Sequence, residues 1–215
     1  MMFAAKNEAS RDGAAAERVR LAVMLSGSGR TLSNLLECID AGKLHARISL
    51  VIASRECPGA EIARRRGVPT VVEVGDIPAA RLGELLAASG ARWVVLAGYL
   101  RRVAIPAGFE NRVVNIHPAL LPAFGGTGMY GLNVHQAVID SGAEVSGCTV
   151  HLCDSEYDRG PIVLQERVPV RRNDTAKTLA DRVFEAEQVA YPRALELLVS
   201  GRVSVEGGVI RPAAP

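Results

Sequence analysis

Short, wholly apolar runs alternate along this chain with segments whose apolar residues recur every three to four positions. Leu21-Ala22-Val23-Met24-Leu25 is continuously apolar, the mark of a strand covered on both faces. Behind it Leu32, Leu35, Leu36 and Ile39 fall at i, i+3, i+4 and i+7, one stripe of a helix. The alternation continues with a strand at Ile48 to Ile52, a short helix at Ala60 to Arg66 and a strand at Pro69 to Val74. A helix at Arg81 to Ala88 and a buried strand at Trp93 to Leu96 come next. Val113-Val114-Asn115-Ile116-His117 reads as a further strand, stopped by Pro118. Beyond it lie a helix at Leu132 to Ile139 and strands at Thr149 to Cys153 and Ile162 to Val170. The last element is a long helix at Thr175 to Val199, with Leu179, Val183, Ala186 and Ala190 on one face and Pro192 to bend it. Strands that alternate with helices predict right-handed βαβ units. The expected architecture is α/β: a single-domain, Rossmann-like, mostly parallel twisted sheet with helices on both faces.

At 215 residues the chain suffices for one good core and is short for two. No repeat or linker divides it. The expected layout is a disordered leader at 1–19, one folded domain at 20–206 and a tail at 207–215. A net charge of +2 leaves no basic stripe that calls for nucleic acid. No apolar run reaches membrane length, and the Ala-rich start lacks the apolar centre of a signal peptide. The expectation is a cytoplasmic protein, monomer or homodimer, whose partners are small molecules rather than nucleic acid or membrane. Cys38, Cys57, Cys148 and Cys153 are then free thiols. Cys148, His151 and Cys153 are close enough to suggest a metal site, but on a strand Cys148 faces away from the other two. Core cysteines, and no metal, are the better reading.

Chemistry is expected at the carboxyl ends of the strands, where parallel α/β sheets hold ligands. Asn115 and His117 are two apart, so an extended strand puts both on one face. They pair a neutral donor with a group that titrates near neutrality. Ser26-Gly27-Ser28-Gly29-Arg30-Thr31 links the first strand to the first helix, a geometry that aims backbone N–H groups at an anion. It is neither a dinucleotide fingerprint nor a P-loop: Leu32 stands where the third glycine would be, and no Gly-Lys-Ser/Thr follows. A tight turn without a ligand is the alternative. The glycine-rich stretch Ala123 to Gly131 is a mobile lid or a connector, and Asp154 to Pro161 is an acidic turn.

Asn115-Ile116-His117-Pro118-Ala119-Leu120-Leu121-Pro122, followed by Asp154-Ser155-Glu156-Tyr157-Asp158-Arg159-Gly160-Pro161, closely resembles the folate-dependent formyltransferases. Those enzymes carry an N-x-H-P-S/A-L-L-P motif and a later D-x-x-x-D-x-G-P turn. Ser26-Gly27-Ser28-Gly29, Ala97-Gly98-Tyr99-Leu100-Arg101 and Glu187 with Tyr191-Pro192 point to the branch that formylates glycinamide ribonucleotide for purine synthesis. The resemblance runs from about Arg20 to about Val205. It implies 10-formyltetrahydrofolate as co-substrate, no metal, and a catalytic trio of Asn115, His117 and Asp158. It matches Gly29, Arg30 and Thr31 to a phosphate loop, with Pro118 and Glu187 as further substrate contacts. Leu100, Arg101, Arg102 and Val103, together with Asn115, Asp154 and Tyr157, match the folate site. Thr149 and His151 lie on the neighbouring strand, where a direct role is open.

Arg30-Thr31 stands where many relatives have Ser-Asn, the 123–131 loop is longer and richer in glycine than expected, and Arg102 occupies an aliphatic position. Arg81 is the candidate for holding the folate tail. The implied chemistry places Asn115 and His117 as donors to an oxyanion, with Asp158 raising the pKa of His117 so that it is charged. The alternatives are a 10-formyltetrahydrofolate hydrolase and a formyltransferase acting on another amine.

Overall fold

The apolar runs form the centre of a sheet whose strands are β1 (Val19–Leu25), β2 (Ala46–Ala53), β3 (Thr70–Val72), β4 (Trp93–Leu96), β5 (Val113–His117), β6 (Val145–Leu152) and β7 (Ile162–Pro169). The helices are α1 (Arg30–Asp40), α2 (Pro58–Arg65), α3 (Ala79–Ser89), α4 (Leu132–Asp140) and α5 (Ala176–Val199). This computed structural model describes residues 17–213, so the leader expected at 1–19 lies outside it except for its last three positions, and Val19 already opens β1.

The strand order is β3-β2-β1-β4-β5-β6-β7. The first five strands pair in parallel, and β6 runs antiparallel to both of its neighbours. Alternation along β1 divides the core. Leu21, Val23 and Leu25 pack with Leu32 and Leu35 of α1, Ala60 of α2 and Leu179 and Leu195 of α5. Ala22 and Met24 face the opposite side, against Leu82 and Leu86 of α3. Helices therefore cover both faces, which is why strands such as β1 and β4 are apolar without interruption.

Long-range hydrogen bonds then fix α5. Its first turn carries a capping box between Thr175 and Thr178. The fully buried Tyr191 hydroxyl shares its proton between the carbonyls of Leu96 and Val114, each at 2.9 Å. Asn34 of α1 donates to the carbonyl of Gln188 at 2.9 Å. Two elements differ from the sequence reading. β6 begins four residues before Thr149, because Ser146-Gly147 interrupts the β-branched pattern without ending the strand. A hairpin of β8 (Val203–Glu206) and β9 (Val209–Pro212) continues past residue 206 into the expected tail. Gly207-Gly208 makes its turn, both residues at positive φ as two-residue hairpin turns require.

From β1 the chain builds outward to β3 and then returns to β4 on the other side of β1. The loops leaving β1 and β4 thus diverge, opening a crevice at their carboxyl ends, the usual ligand position in such sheets.

Candidate active site

Asn115 and His117 project from the last residues of β5, and antiparallel pairing sets His151 opposite Asn115 and Thr149 opposite His117. With a side-chain period of two on both strands, these four residues share one face. His151 Nδ1 meets the carbonyl of Leu152 at 3.0 Å, which fixes the ring. A proton on Nδ1 leaves Nε2 to accept from Asn115 Nδ2 at 3.2 Å. One N–H of the Asn115 amide is thus engaged, and the other is available to a ligand. Thr149 is fully buried and structural: it donates to the carbonyl of Ala119 at 2.7 Å and accepts from Leu121 N–H and Gln165 Nε2. It braces the turn that follows Pro118.

Asp158 arrives from the acidic turn and bridges the two imidazoles. Its Oδ2 lies 3.5 Å from His117 Nδ1 and its Oδ1 lies 3.4 Å from His151 Nε2. The N–H of Gly126 donates to Oδ2 at 2.9 Å. Asp158 holds φ at 56°, a left-handed conformation uncommon for a side-chain-bearing residue and typical of functional sites. The glycine-rich loop supplies the other wall. Phe124 presents its carbonyl to His117 Nε2 at 2.8 Å, and a Cβ at Gly125 would strike the Leu121 side chain at 2.5 Å. A side chain at Gly125 would also crowd the Asp158 Cβ, 3.2 Å away, so the loop rests close on the cluster here.

Burial pushes the Asp158 carboxyl up, but the adjoining His151 ring, the Gly126 N–H and the His117 ring outweigh it, so the carboxyl titrates below its usual range. His117 is only 3% exposed. Loss of solvation holds its pKa below the ordinary value, while Asp158 and the Phe124 carbonyl pull upward and His151 pushes down. The expectation that Asp158 makes the resting His117 charged is therefore corrected. The carboxylate acts in the expected sense, but burial is the stronger effect. Burial thus disfavours the charged form of His117 in spite of the neighbouring carboxylate.

At the turn after β1, Gly29 caps α1 at φ 77°, and no side chain caps the helix. A Cβ on Gly29 would lie 2.5 Å from the Gly59 Cα, so the first turn of α2 packs directly against it. Arg30 is exposed, with its guanidinium stacked 3.9 Å from the centre of the Phe184 ring on α5. Glu187 is half-buried one turn further along that helix, where loss of solvation pushes its carboxyl up to about 7 against the influence of Arg30. Gly29, Arg30 and Glu187 are thus brought to one end of α1.

A cavity of about 610 Å³ is lined by Arg102, Val103, Ile105, Cys153, Asp154 and Ser155, with Asp76 and Glu110 at its sides. Its walls are the segment after β4 and the start of the acidic turn, and of the residues matched to the folate site they include Arg102, Val103 and Asp154. Arg102 joins those walls by donating to the Ser155 carbonyl at 2.8 Å. Leu100 and Tyr157 are exposed outside this lining, and Arg101 pairs with Asp76 at 3.3 Å. Arg81 is held by Glu73 and Glu84 on the surface, which accounts for its charge without a ligand. Burial raises the Cys148 and Cys153 thiols to about 12, and the two lie in core clusters on opposite faces of the sheet. Among the described residues no group of three or more His, Cys, Asp or Glu is placed to hold a metal.

Three groups close to the cluster were missed by sequence reasoning. The Phe124 carbonyl and Gly126 N–H are backbone groups, to which no residue pattern points. His135 on α4 is 4% exposed, its Nδ1 has no partner, and burial with the nearby His117 lowers its pKa.

The formyl transferase family model matches residues 19–195. A chloroplastic phosphoribosylglycinamide formyltransferase of Vigna unguiculata is 40% identical over 86% of this chain, which spans 62% of that protein's length. The trifunctional purine biosynthetic protein adenosine-3 of Gallus gallus is 37% identical over 90% of the chain, a fifth of its own length. Among solved structures, glycinamide ribonucleotide transformylase 1 of Symbiobacterium toebii superposes with a TM-score of 0.84 at 38% identity, covering 92% of this chain and 95% of that one. A match over most of its length, in sequence and in fold, places this chain in the formyl transferase family.

Proposed function

We propose that the protein is an enzyme transferring the formyl group of 10-formyltetrahydrofolate to the amine of 5-phosphoribosyl-glycinamide in purine biosynthesis. The observation that carries this reading is Asp158 set between two imidazoles, one of which holds the Asn115 amide, at the carboxyl edge of the sheet. The named relatives narrow the acceptor to the ribonucleotide. The cavity takes the pterin, with Arg102 and Val103 along one wall and Asp154 and Ser155 along the other. The ribonucleotide phosphate sits on the uncapped N–H groups of Gly29, Arg30 and Thr31. Arg30 adds charge from its place on Phe184, and Glu187 and Pro118 contact the sugar side. The cytoplasmic location stays part of this proposal, since the plant relatives are named as chloroplastic.

In this reading the amine attacks the formyl carbon and the carbonyl oxygen becomes an oxyanion. The free N–H of Asn115 donates to it, as does His117 once the Phe124 carbonyl withdraws. One such donor contributes about 3 kcal/mol of transition-state stabilisation. The attacking nitrogen must shed a proton, and neutral His117 can take it on Nδ1, where Asp158 compensates the new charge. The carbon–nitrogen bond to the folate then breaks, and the proton passes to the departing nitrogen. A low resting pKa suits this role, because the imidazole must be empty before it can accept.

The test is to incubate the protein with 10-formyltetrahydrofolate, with and without glycinamide ribonucleotide, and to follow release of tetrahydrofolate. Release is expected only with the ribonucleotide. Equal release without it would replace the transferase by a hydrolase.

A further inference from the structure

Ser26 follows β1 directly, is 2% exposed, and has no role in the chemistry above. It lies in the crevice where the loops of β1 and β4 diverge, and every polar group it carries crosses to another loop. Its N–H donates to the carbonyl of Gly98 at 3.1 Å. Its carbonyl accepts from Arg55 Nε at 2.9 Å. Its Oγ accepts from the Ser54 hydroxyl at 2.8 Å and from the Leu100 N–H at 3.1 Å. The loops after β1, β2 and β4 therefore meet on one small side chain.

The two backbone bonds Ala97 N–H to Met24 and Ser26 N–H to Gly98 merely continue the ladder between β1 and β4. Past Gly98, which turns the chain at φ 74°, the Leu100 N–H is held by the Ser26 hydroxyl, while the Leu100 side chain is 66% exposed. We infer that Ser26 is a positioning residue that couples the two substrates, its hydroxyl tying the turn that binds the ribonucleotide phosphate to the segment that runs from Leu100 into the folate-cavity wall at Arg102. This rests on the substrate assignment proposed above. Filling the turn of Gly29 to Thr31 further favours the arrangement in which Ser26 bonds the Leu100 N–H. The Leu100 segment is then held more of the time, so the second ligand meets a wall already in place. Linkage makes the effect equal in both directions.

The experiment is calorimetric titration with glycinamide ribonucleotide and with a non-transferable folate analogue, each alone and in the presence of the other. In the wild-type protein each ligand is expected to tighten the other about 5-fold or more, the lower end of typical coupling. Ser26→Ala should weaken both and bring that factor close to one. Ser54→Ala removes a neighbouring hydroxyl but keeps the bond to Leu100, and should keep the coupling. A merely structural Ser26 would lower the melting temperature and weaken both ligands while the factor stayed at its wild-type value, and that result overturns the inference. Should Ser26→Ala fail to fold, Ser26→Cys keeps the volume with a far weaker acceptor and gives the same reading. Wild-type protein that binds both ligands with a factor of one overturns the coupling alone. Wild-type protein that binds neither overturns the substrate assignment and the coupling with it.

Discussion

The turn after β1 and the ends of β5 and β6 share one edge of the sheet, yet they are made of different materials. The turn offers backbone: a positive-φ glycine, an uncapped helix end, and an arginine that lies over Phe184. The β5–β6 edge offers side chains, two imidazoles and an amide sharing the reach of one carboxylate. A site built from backbone depends on shape and tolerates exchange of its side chains. A site built from buried titratable groups depends on identity and on the balance between burial and neighbouring charge. The first should therefore fail in binding, and the second in the chemical step.

The largest expected effect sets this contrast most sharply. Asn115→Ala should lower kcat by about 10²- to 10³-fold, the usual cost of one oxyanion donor, with smaller changes in KM. Steady-state kinetics with both substrates varied would measure it. A loss confined to KM would mean that Asn115 only binds, and the division between the two regions would fail.

Gly29→Ala probes the other side. The new Cβ meets the Gly59 backbone, and the residue must hold a φ that costs side-chain-bearing residues about 1 kcal/mol. The KM for the ribonucleotide is expected to rise about tenfold, the equivalent of 1.4 kcal/mol, and much more than that for the folate. Equal increases for both substrates would remove the phosphate from this turn.

The difference between the regions also explains what the sequence could disclose. Strand, glycine turn and helix are consecutive, so local pattern was enough to place Gly29 and the N-terminus of α1. Asn115 and His117 were legible because a strand fixes which residues share a face. Asp158 came with the family motif. The net charge of His117 was not legible, because it depends on groups remote from it in sequence or absent from any side-chain pattern. His151 reaches it through strand pairing, and the Phe124 carbonyl belongs to a loop read only as mobile or connecting. The β8–β9 hairpin was legible in principle from Gly207-Gly208 between valine-rich pairs, but its turn and second strand lay beyond the point where the domain was expected to end.

Arg30→Ala should give a milder change. The guanidinium rests on the Phe184 ring, and an exposed charge pair with the phosphate contributes about 0.2–1 kcal/mol. The KM for the ribonucleotide is expected to rise by about threefold, which corresponds to that range, and the rise should shrink as salt is added. A loss as large as that of Gly29→Ala would make the side chain, rather than the backbone, the principal phosphate contact.

The smallest effect is a shift of titration, and it tests whether the β5–β6 edge is one electrostatic unit. Burial holds the His117 pKa below its ordinary value of about 6.5, and Asp158 opposes that shift. Asp158→Asn should therefore lower the pKa of His117 further, and NMR titration of its ring protons reads this directly. The stability consequence has a definite sign. A depressed folded-state pKa means that the unfolded chain binds more protons, so stability is full above about 6.5 and declines as pH falls toward the folded value. Asp158, also depressed, adds a second decline in the carboxylate range. In Asp158→Asn the acid decline near His117 should extend to lower pH, while the second decline disappears. The competing view is that Asp158 only fastens its turn to the Gly126 N–H. On that view Asp158→Asn reduces stability at every pH and leaves the His117 titration in place. An unchanged titration in a well-folded variant would separate the two groups and remove the proton-accepting role of His117 that their proximity supports.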